Sequence, residues 1–183
     1  TYNFVFWAQA PNNSYYTVNL GAVGAQAVEP TISVAYGTDA NDDYRDAFFG
    51  NLEHKVEGSA PVTVYLKRPF AQIRIGTTLP KNVIEAVVLT KSSVTVTGAA
   101  EAFNVIKQEA IVGNEPTTVE FKLAEVPDYN ITVNNVDYKY AAMNYIFANG
   151  NVGVAYNIET ANHGTVKTET IPDVPVQRNY RTN

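Results

Sequence analysis

Short stretches of alternating polar and apolar residues, broken by turn-forming clusters at a spacing of roughly 8–12 residues, run the length of this chain, a pattern that belongs to sandwiches and barrels. Thr117 to Leu123 is the cleanest stretch, with Val119, Phe121 and Leu123 alternating against Thr118, Glu120 and Lys122. A period of two places one set of side chains on each face of a strand and cannot place them on one face of a helix. Val, Ile, Thr, Tyr and Phe supply most of the apolar residues, and such branched and aromatic side chains fit a pleated surface better than a helix. The expectation is an all-β fold of two packed antiparallel sheets, with at most one or two short helices.

Tyr2 to Ala8 is the first strand, with Tyr2, Phe4 and Phe6 on one face and Val5 and Trp7 on the other. Apolar groups on both faces point to a central strand, or to one covered on both sides. Tyr16 to Leu20 and Thr31 to Tyr36 follow. Gly37 to Asp46 is the most polar stretch and runs into Ala47-Phe48-Phe49-Gly50, and the whole reads as a loop carrying one helical turn that plants two Phe rings in the core. Val62 to Leu66 and Phe70 to Ile75 form a strand pair around Pro69, which marks an edge, a bulge or a corner because it lacks a ladder donor. Val83 to Thr90 and Ser93 to Thr97 are joined through Lys91-Ser92, and Ala99 to Ile106 is the best helix candidate. Ile131 to Val133, Tyr138 to Phe147, Gly153 to Thr160 and Thr165 to Ile171 complete the strands. Asn134-Asn135 and Asn149-Gly150 sit where hairpin turns need positive φ. No repeat or low-complexity block divides the chain, so residues 1–183 are read as one domain.

Composition narrows function. The net charge is −5, and Lys67-Arg68 is the only adjacent basic pair, so no patch exists for a nucleic-acid backbone. The absence of cysteine removes disulfides, thiol nucleophiles and thiolate metal sites together. No apolar run approaches the ~20 residues of a membrane-spanning helix. Asp39, Asn41 and Asp43 have the first, third and fifth spacing of a calcium loop, but the sixth position is Tyr44 instead of Gly and the twelfth is Gly50 instead of Glu. The plainer reading is a solvated loop whose Asp side chains cap a helical turn. His54 and His163 are the only histidines, far apart and each next to loop residues, and no HxxxH or HxH pair is present to seed a zinc site. Gly21 to Gly24 lacks the lysine of a phosphate loop, and no Gly-x-Ser-x-Gly elbow occurs. Glu85, Glu101, Glu109, Glu120 and Glu125 fall on exposed strand faces or loops, with no pair marked out for glycoside hydrolysis. Asn130-Ile131-Thr132 has the form of a glycosylation sequon, a short pattern that marks no site by itself. No enzyme and no cofactor is expected. The aromatic residues Trp7, Tyr15 and Tyr16 are the candidates for binding, as platforms for a sugar ring or anchors for a protein.

Four blocks carry a resemblance: Tyr2-Asn3-Phe4-Val5-Phe6-Trp7-Ala8-Gln9; Arg45-Asp46-Ala47-Phe48-Phe49-Gly50; Val64-Tyr65-Leu66-Lys67-Arg68-Pro69-Phe70-Ala71-Gln72-Ile73; and Val174-Pro175-Val176-Gln177-Arg178-Asn179-Tyr180-Arg181-Thr182-Asn183. Together they resemble the N-terminal domain of fimbrillin-type proteins of Bacteroides-type bacteria, the subunits and anchors of type V pili. The resemblance implies a transthyretin-like Greek-key sandwich of about seven core strands. It also implies export as a lipoprotein to the outer membrane, with other pilus subunits or surface proteins as partners and strand exchange as the means of assembly. Arg68, Pro69, Phe70, Arg178, Tyr180 and Arg181 are its structural residues. Lys67-Arg68-Pro69 would turn a corner between an inward Leu66 and an inward Phe70, with Arg68 paired to Asp46. Both ends look cut, so a leader, a lipid anchor and a further domain are expected outside this stretch. The leading expectation is an assembly or adhesion module, and the alternative is a surface glycan-binding protein.

Overall fold

A computed structural model describes residues 1–21, 28–78, 88–115, 117–161 and 164–183. In chain order its strands are β1 (Tyr2–Gln9), β2 (Tyr16–Asn19), β3 (Thr31–Val34), β4 (Ala47–His54), β5 (Ala71–Thr77), β6 (Leu89–Ala99) and β7 (Ala102–Asn104). Then come β8 (Glu109–Ile111), β9 (Thr117–Leu123), β10 (Asn130–Val133), β11 (Val136–Ile146), β12 (Gly150–Thr160), β13 (Gly164–Val176) and β14 (Arg181–Thr182). Among the described residues the only helical element is a single 3-10 turn, Asp43–Arg45. The fold is all-β.

Two four-stranded sheets, ordered β13-β12-β6-β9 and β10-β11-β5-β14, form the sandwich. A third, β2-β3-β7-β8, and a two-stranded ribbon, β1-β4, complete the molecule. Every pairing is antiparallel except β14 with β5. The chain crosses repeatedly between sheets, so that β12 lies beside β6 and β11 beside β5. One connected apolar cluster draws on all four sheets. Its spine is a chain of rings: Phe49 on Phe103 at 4.7 Å, Phe103 on Phe147 at 5.8 Å, Phe147 on Phe70 at 6.2 Å and Phe70 on Tyr145 at 4.8 Å. These contacts tie the ribbon and the third sheet to the sandwich, because Phe49 lies on β4 and Phe103 on β7.

Local signals are followed where local chemistry decides. Asn134 and Asn135 both hold positive φ and join β10 to β11, and Gly150 at φ 105° opens β12. Pro172 and Pro175 lie within β13, an edge strand whose register shifts opposite Val152/Val154, so their missing N–H groups interrupt no second ladder.

The structure corrects several expectations. The one helical turn expected in the 37–50 stretch is the 3-10 turn Asp43–Arg45, but Ala47-Phe48-Phe49-Gly50 is strand and not loop. Strand alternation sends Phe49 into the core and leaves Phe48 half-buried on the opposite face. Ala99 to Ile106 is not helix. Gly98 at φ 95° coincides with a register shift in β6, and the buried Ala99 and Ala100 lead the chain across to β7. Lys91-Ser92 is no connection but the interior of β6, where the buried Ser92 hydroxyl donates to the Ala141 carbonyl of the facing sheet at 2.7 Å. Val62 to Leu66 forms no strand. Its neighbour Lys67 exchanges backbone hydrogen bonds with Phe49, and Leu66 is exposed instead of inward. Residues 83–87 of the expected 83–90 strand lie outside the described residues, as do Glu85, His163 and the glycine pattern at 22–24.

Candidate functional site

The aromatic candidates do not form a platform. Tyr16 is buried, with its ring 5.3 Å from Trp7 and 6.4 Å from Phe70, and its hydroxyl donates to the Arg45 carbonyl at 2.6 Å. Burial raises its pKa well above the ordinary phenol value. Trp7 is half-buried against it and donates to Gln9 Oε1 at 2.7 Å. Tyr15 carries the Arg45 guanidinium over its ring at 3.9 Å and donates to Asp42 Oδ2 at 2.6 Å, a bond that raises its pKa first, with desolvation second. All three belong to the wall that holds the polar loop, and a sugar face has no access to Tyr16.

The calcium candidates are likewise engaged from within. The Asn41 side-chain oxygen accepts from the Tyr140 hydroxyl, and its backbone N–H donates to Met143 O at 2.7 Å, with φ at 57°. The Asp39 backbone carbonyl accepts from Arg45 at 3.2 Å, and Asp43 opens the 3-10 turn. Asp42, a residue the spacing did not single out, caps that turn by accepting from the Tyr44 N–H at 2.9 Å. Among the described residues no cluster of three or more His, Asp or Glu side chains is placed to hold a metal ion.

The two family-like blocks meet in space although they are 111 positions apart. Arg68 forks onto Asp46, Nε to Oδ1 at 2.7 Å and an Nη to Oδ2 at 2.6 Å, and lies 4.9 Å over the Phe48 ring. Its backbone N–H donates to the Asn179 side chain at 3.1 Å. Pro69 and Phe70 are buried, and the Phe70 carbonyl accepts from the Asn179 N–H at 2.9 Å. Arg178 spans the Phe49 and Phe103 rings at 5.1 and 5.9 Å, and desolvation there lowers its pKa. Tyr180 is exposed, with its carbonyl accepting from Gln72 N, and Arg181 begins β14. These residues fasten the closing segment to β5 and β4.

What remains uncovered is the β1-β4 ribbon. Its register sets Tyr2 opposite His54, Phe4 opposite Leu52 and Phe6 opposite Gly50 on the outer face. Phe4 and Phe6 are each 39% exposed and Tyr2 65%. Gly50 is needed there. A Cβ on it would lie 2.9 Å from Val64, because the 62–66 segment crosses β4 at that point. Between Phe4, Phe6, Leu52 and His54 on the ribbon and Val62, Val64 and Leu66 above it lies an apolar groove of about 410 Å³. A second groove of about 400 Å³ runs along β4 past Lys67. Beyond β4, no backbone hydrogen bond reaches β1 from the described residues, so its outer edge presents free N–H and C=O groups. The expectation of a central strand is thus overturned: among the described residues β1 pairs only with β4 and is an edge strand, apolar on both faces.

The acidic residues offer a contrast. Glu120 and Glu159 line one groove on the β12-β6-β9 face, with Lys122 3.1 Å from the first and Lys91 4.0 Å from the second.

The chain belongs to a family of unknown function, DUF6562. That family's model matches residues 1–183. No curated protein matches the chain. The crystal structure of a "putative adhesin" from Bacteroides ovatus aligns with 99% of this DUF6562 chain and 71% of its own, at a TM-score of 0.42 and 8% identity. No helix among the described residues is long and apolar enough to cross a membrane.

Proposed function

We propose that this protein is a non-enzymatic assembly or adhesion module of the cell surface, a fimbrial subunit or a pilus-associated protein of the fimbrillin kind, that works through its β1-β4 ribbon. The observation that carries the reading is an eight-residue edge strand, apolar on both faces, beside a groove lined by Phe4, Phe6, Leu52 and Val64. Such surfaces are where extended segments or partner sheets dock, main-chain hydrogen bonds supplying affinity and side-chain pockets supplying register. The four fimbrillin-like blocks support the same reading, and two of them build the ribbon itself. The lysine-paired Glu120 and Glu159 on a strand face fit an enzyme poorly, since acid–base work on sugars needs one carboxyl kept protonated by its surroundings.

The test is made on cells of the source organism. Protease applied to intact cells should remove the protein, and sheared surface fibres should contain it. Deleting the gene should abolish attachment or fibre formation, and a copy with Phe4→Lys and Phe6→Lys should not restore it. Full protection from protease, or unchanged attachment and fibres in the deletion strain, would overturn the proposal.

A further inference from the structure

Free strand edges are normally guarded by charge, proline or shortness. The other edges described here follow that rule. β13 carries Lys167, Glu169, Asp173 and two prolines, β9 carries Glu120 and Lys122, and β4 carries Glu53 and is bridged at Phe49 by Lys67. The outer strands β2, β8, β10 and β14 have four residues or fewer. β1 breaks the rule. It is eight residues long, and nothing from Thr1 to Ala10 is a charged side chain or a proline.

An edge without charge is poorly equipped to select a partner by complementary charge, but it suits a partner with the same sequence. A two-fold axis brings any charge in the segment close to its own copy, and like charges across strands are destabilising. β1 has none to bring. A two-fold normal to the sheet also keeps the outer faces of both ribbons on the same side, so outer-face residues meet outer-face residues. With the axis at Val5, Phe4 stands opposite the copy's Phe6 and Phe6 opposite its Phe4. Tyr2 then stands opposite Ala8, and Val5 opposite Val5. Of the registers this symmetry allows, only that one forms two Phe–Phe cross-strand pairs, and aromatic pairs are among the stabilising ones.

We infer that β1 pairs antiparallel with β1 of a second copy about a two-fold axis at Val5, joining two ribbons into one sheet ordered β4-β1-β1-β4. The inference rests on reading the ribbon as a contact surface, though not on where in the cell the protein resides. A strand of this length spans about 27 Å, at roughly 3.4 Å per residue. A contact of that length buries on the order of 1,000 Å² in total, the lower bound for a specific interface, and so belongs with weak or transient contacts.

Sedimentation equilibrium of the full chain tests this from micromolar to submillimolar protein. The wild type should show a monomer–dimer equilibrium. Phe4→Lys or Phe6→Glu alone should raise the dissociation constant at least about tenfold. Combining the two should recover much of the loss, because the register places the opposite charges across from each other. The chain has no cysteine. Val5→Cys should therefore oxidise to a covalent dimer, while Val18→Cys, exposed on β2, should stay monomeric. A wild type that remains monomeric throughout would overturn the inference. So would a dimer indifferent to Phe4→Lys, a double variant no better than the singles, or equal cross-linking at positions 5 and 18. Because these are solution measurements, a monomeric protein that still supports attachment on cells would sink the dimer and leave the proposed function standing.

Discussion

Two regions of this molecule use the same kinds of side chain to opposite ends. Around the Asp39–Asp46 loop, rings and hydroxyls are enclosed: Tyr15 caps Asp42, Tyr16 holds the Arg45 carbonyl, and Tyr36 donates to the Ala100 carbonyl at 2.7 Å. On the β1-β4 ribbon, Tyr2, Phe4 and Phe6 face outward with few partners beyond one another, at 6.3 Å between Tyr2 and Phe4. The enclosed region is built to be stable by itself. The ribbon holds apolar surface that folding of one copy does not remove from water. An aromatic residue is therefore a functional signal only where the rest of the chain leaves it unpartnered.

The enclosed region is most sensitive at Phe70. Its ring is buried against Tyr16, Tyr145 and Phe147, so Phe70→Ala should cost about 3–5 kcal/mol, read from the denaturant midpoint. A loss below about 1 kcal/mol would mean that the ring chain is not the core. Arg45→Ala comes next. The buried guanidinium donates to the Tyr36 and Asp39 carbonyls and lies over the Tyr15 ring, so its removal leaves two acceptors without donors and should cost about 3 kcal/mol. Arg68→Ala is milder, because the side chains of Arg68 and Asp46 are 43% and 24% exposed. A loss of about 1 kcal/mol is expected, which lowers the melting temperature by roughly 2–4 °C at this chain length. An unchanged melting temperature would show that the ion pair does not fasten the loop to β4.

Much of the fold could be read from neighbouring residues alone. The alternation from Thr117 to Leu123 needs no tertiary information, and neither does the Asn134-Asn135 turn, since both express backbone preference directly. The misreadings share one cause. Ala99 to Ile106 has helix-like content, but its alanines are small because the chain crosses a packed interface there. Ser92 looks like a turn residue until a carbonyl from the opposite sheet satisfies it. The site was half legible. Apolarity on both faces of β1 could be seen in the sequence, but it pointed to a central strand, because periodicity reports what wants covering and not whether this chain provides the cover. The meeting of Arg68 with Asn179, across 111 positions, had no signal in spacing.

Alkaline pH sharpens the contrast further. Desolvation first, and a hydrogen bond to Glu169 second, push the Tyr156 phenol up to about 12. Burial also raises Tyr16 and Tyr36. A raised folded value means that the fold favours the neutral phenol. That stabilisation is complete below the unfolded value of about 10 and is lost as pH rises through the folded value. The denaturant midpoint should therefore hold up to about pH 10 and fall beyond it, and Tyr156→Phe should make the fall shallower. A fall of the same steepness in that variant would exclude Tyr156 as a contributor.

The smallest expected effect discriminates best. Phe4→Ser removes a ring that is 39% exposed on the outer face, so at dilute concentration the stability should fall by no more than about 1 kcal/mol. A core phenylalanine such as Phe70 would cost several times that when truncated. If Phe4→Ser instead costs 2 kcal/mol or more, on the scale of a buried side chain, the ribbon face is already covered within one copy and Phe4 belongs with Phe70. If stability holds while association or attachment is lost, the ring serves a surface that is completed only in contact with a partner. Such a result would place the cost of exposing Phe4 in the free protein and its benefit in the assembly.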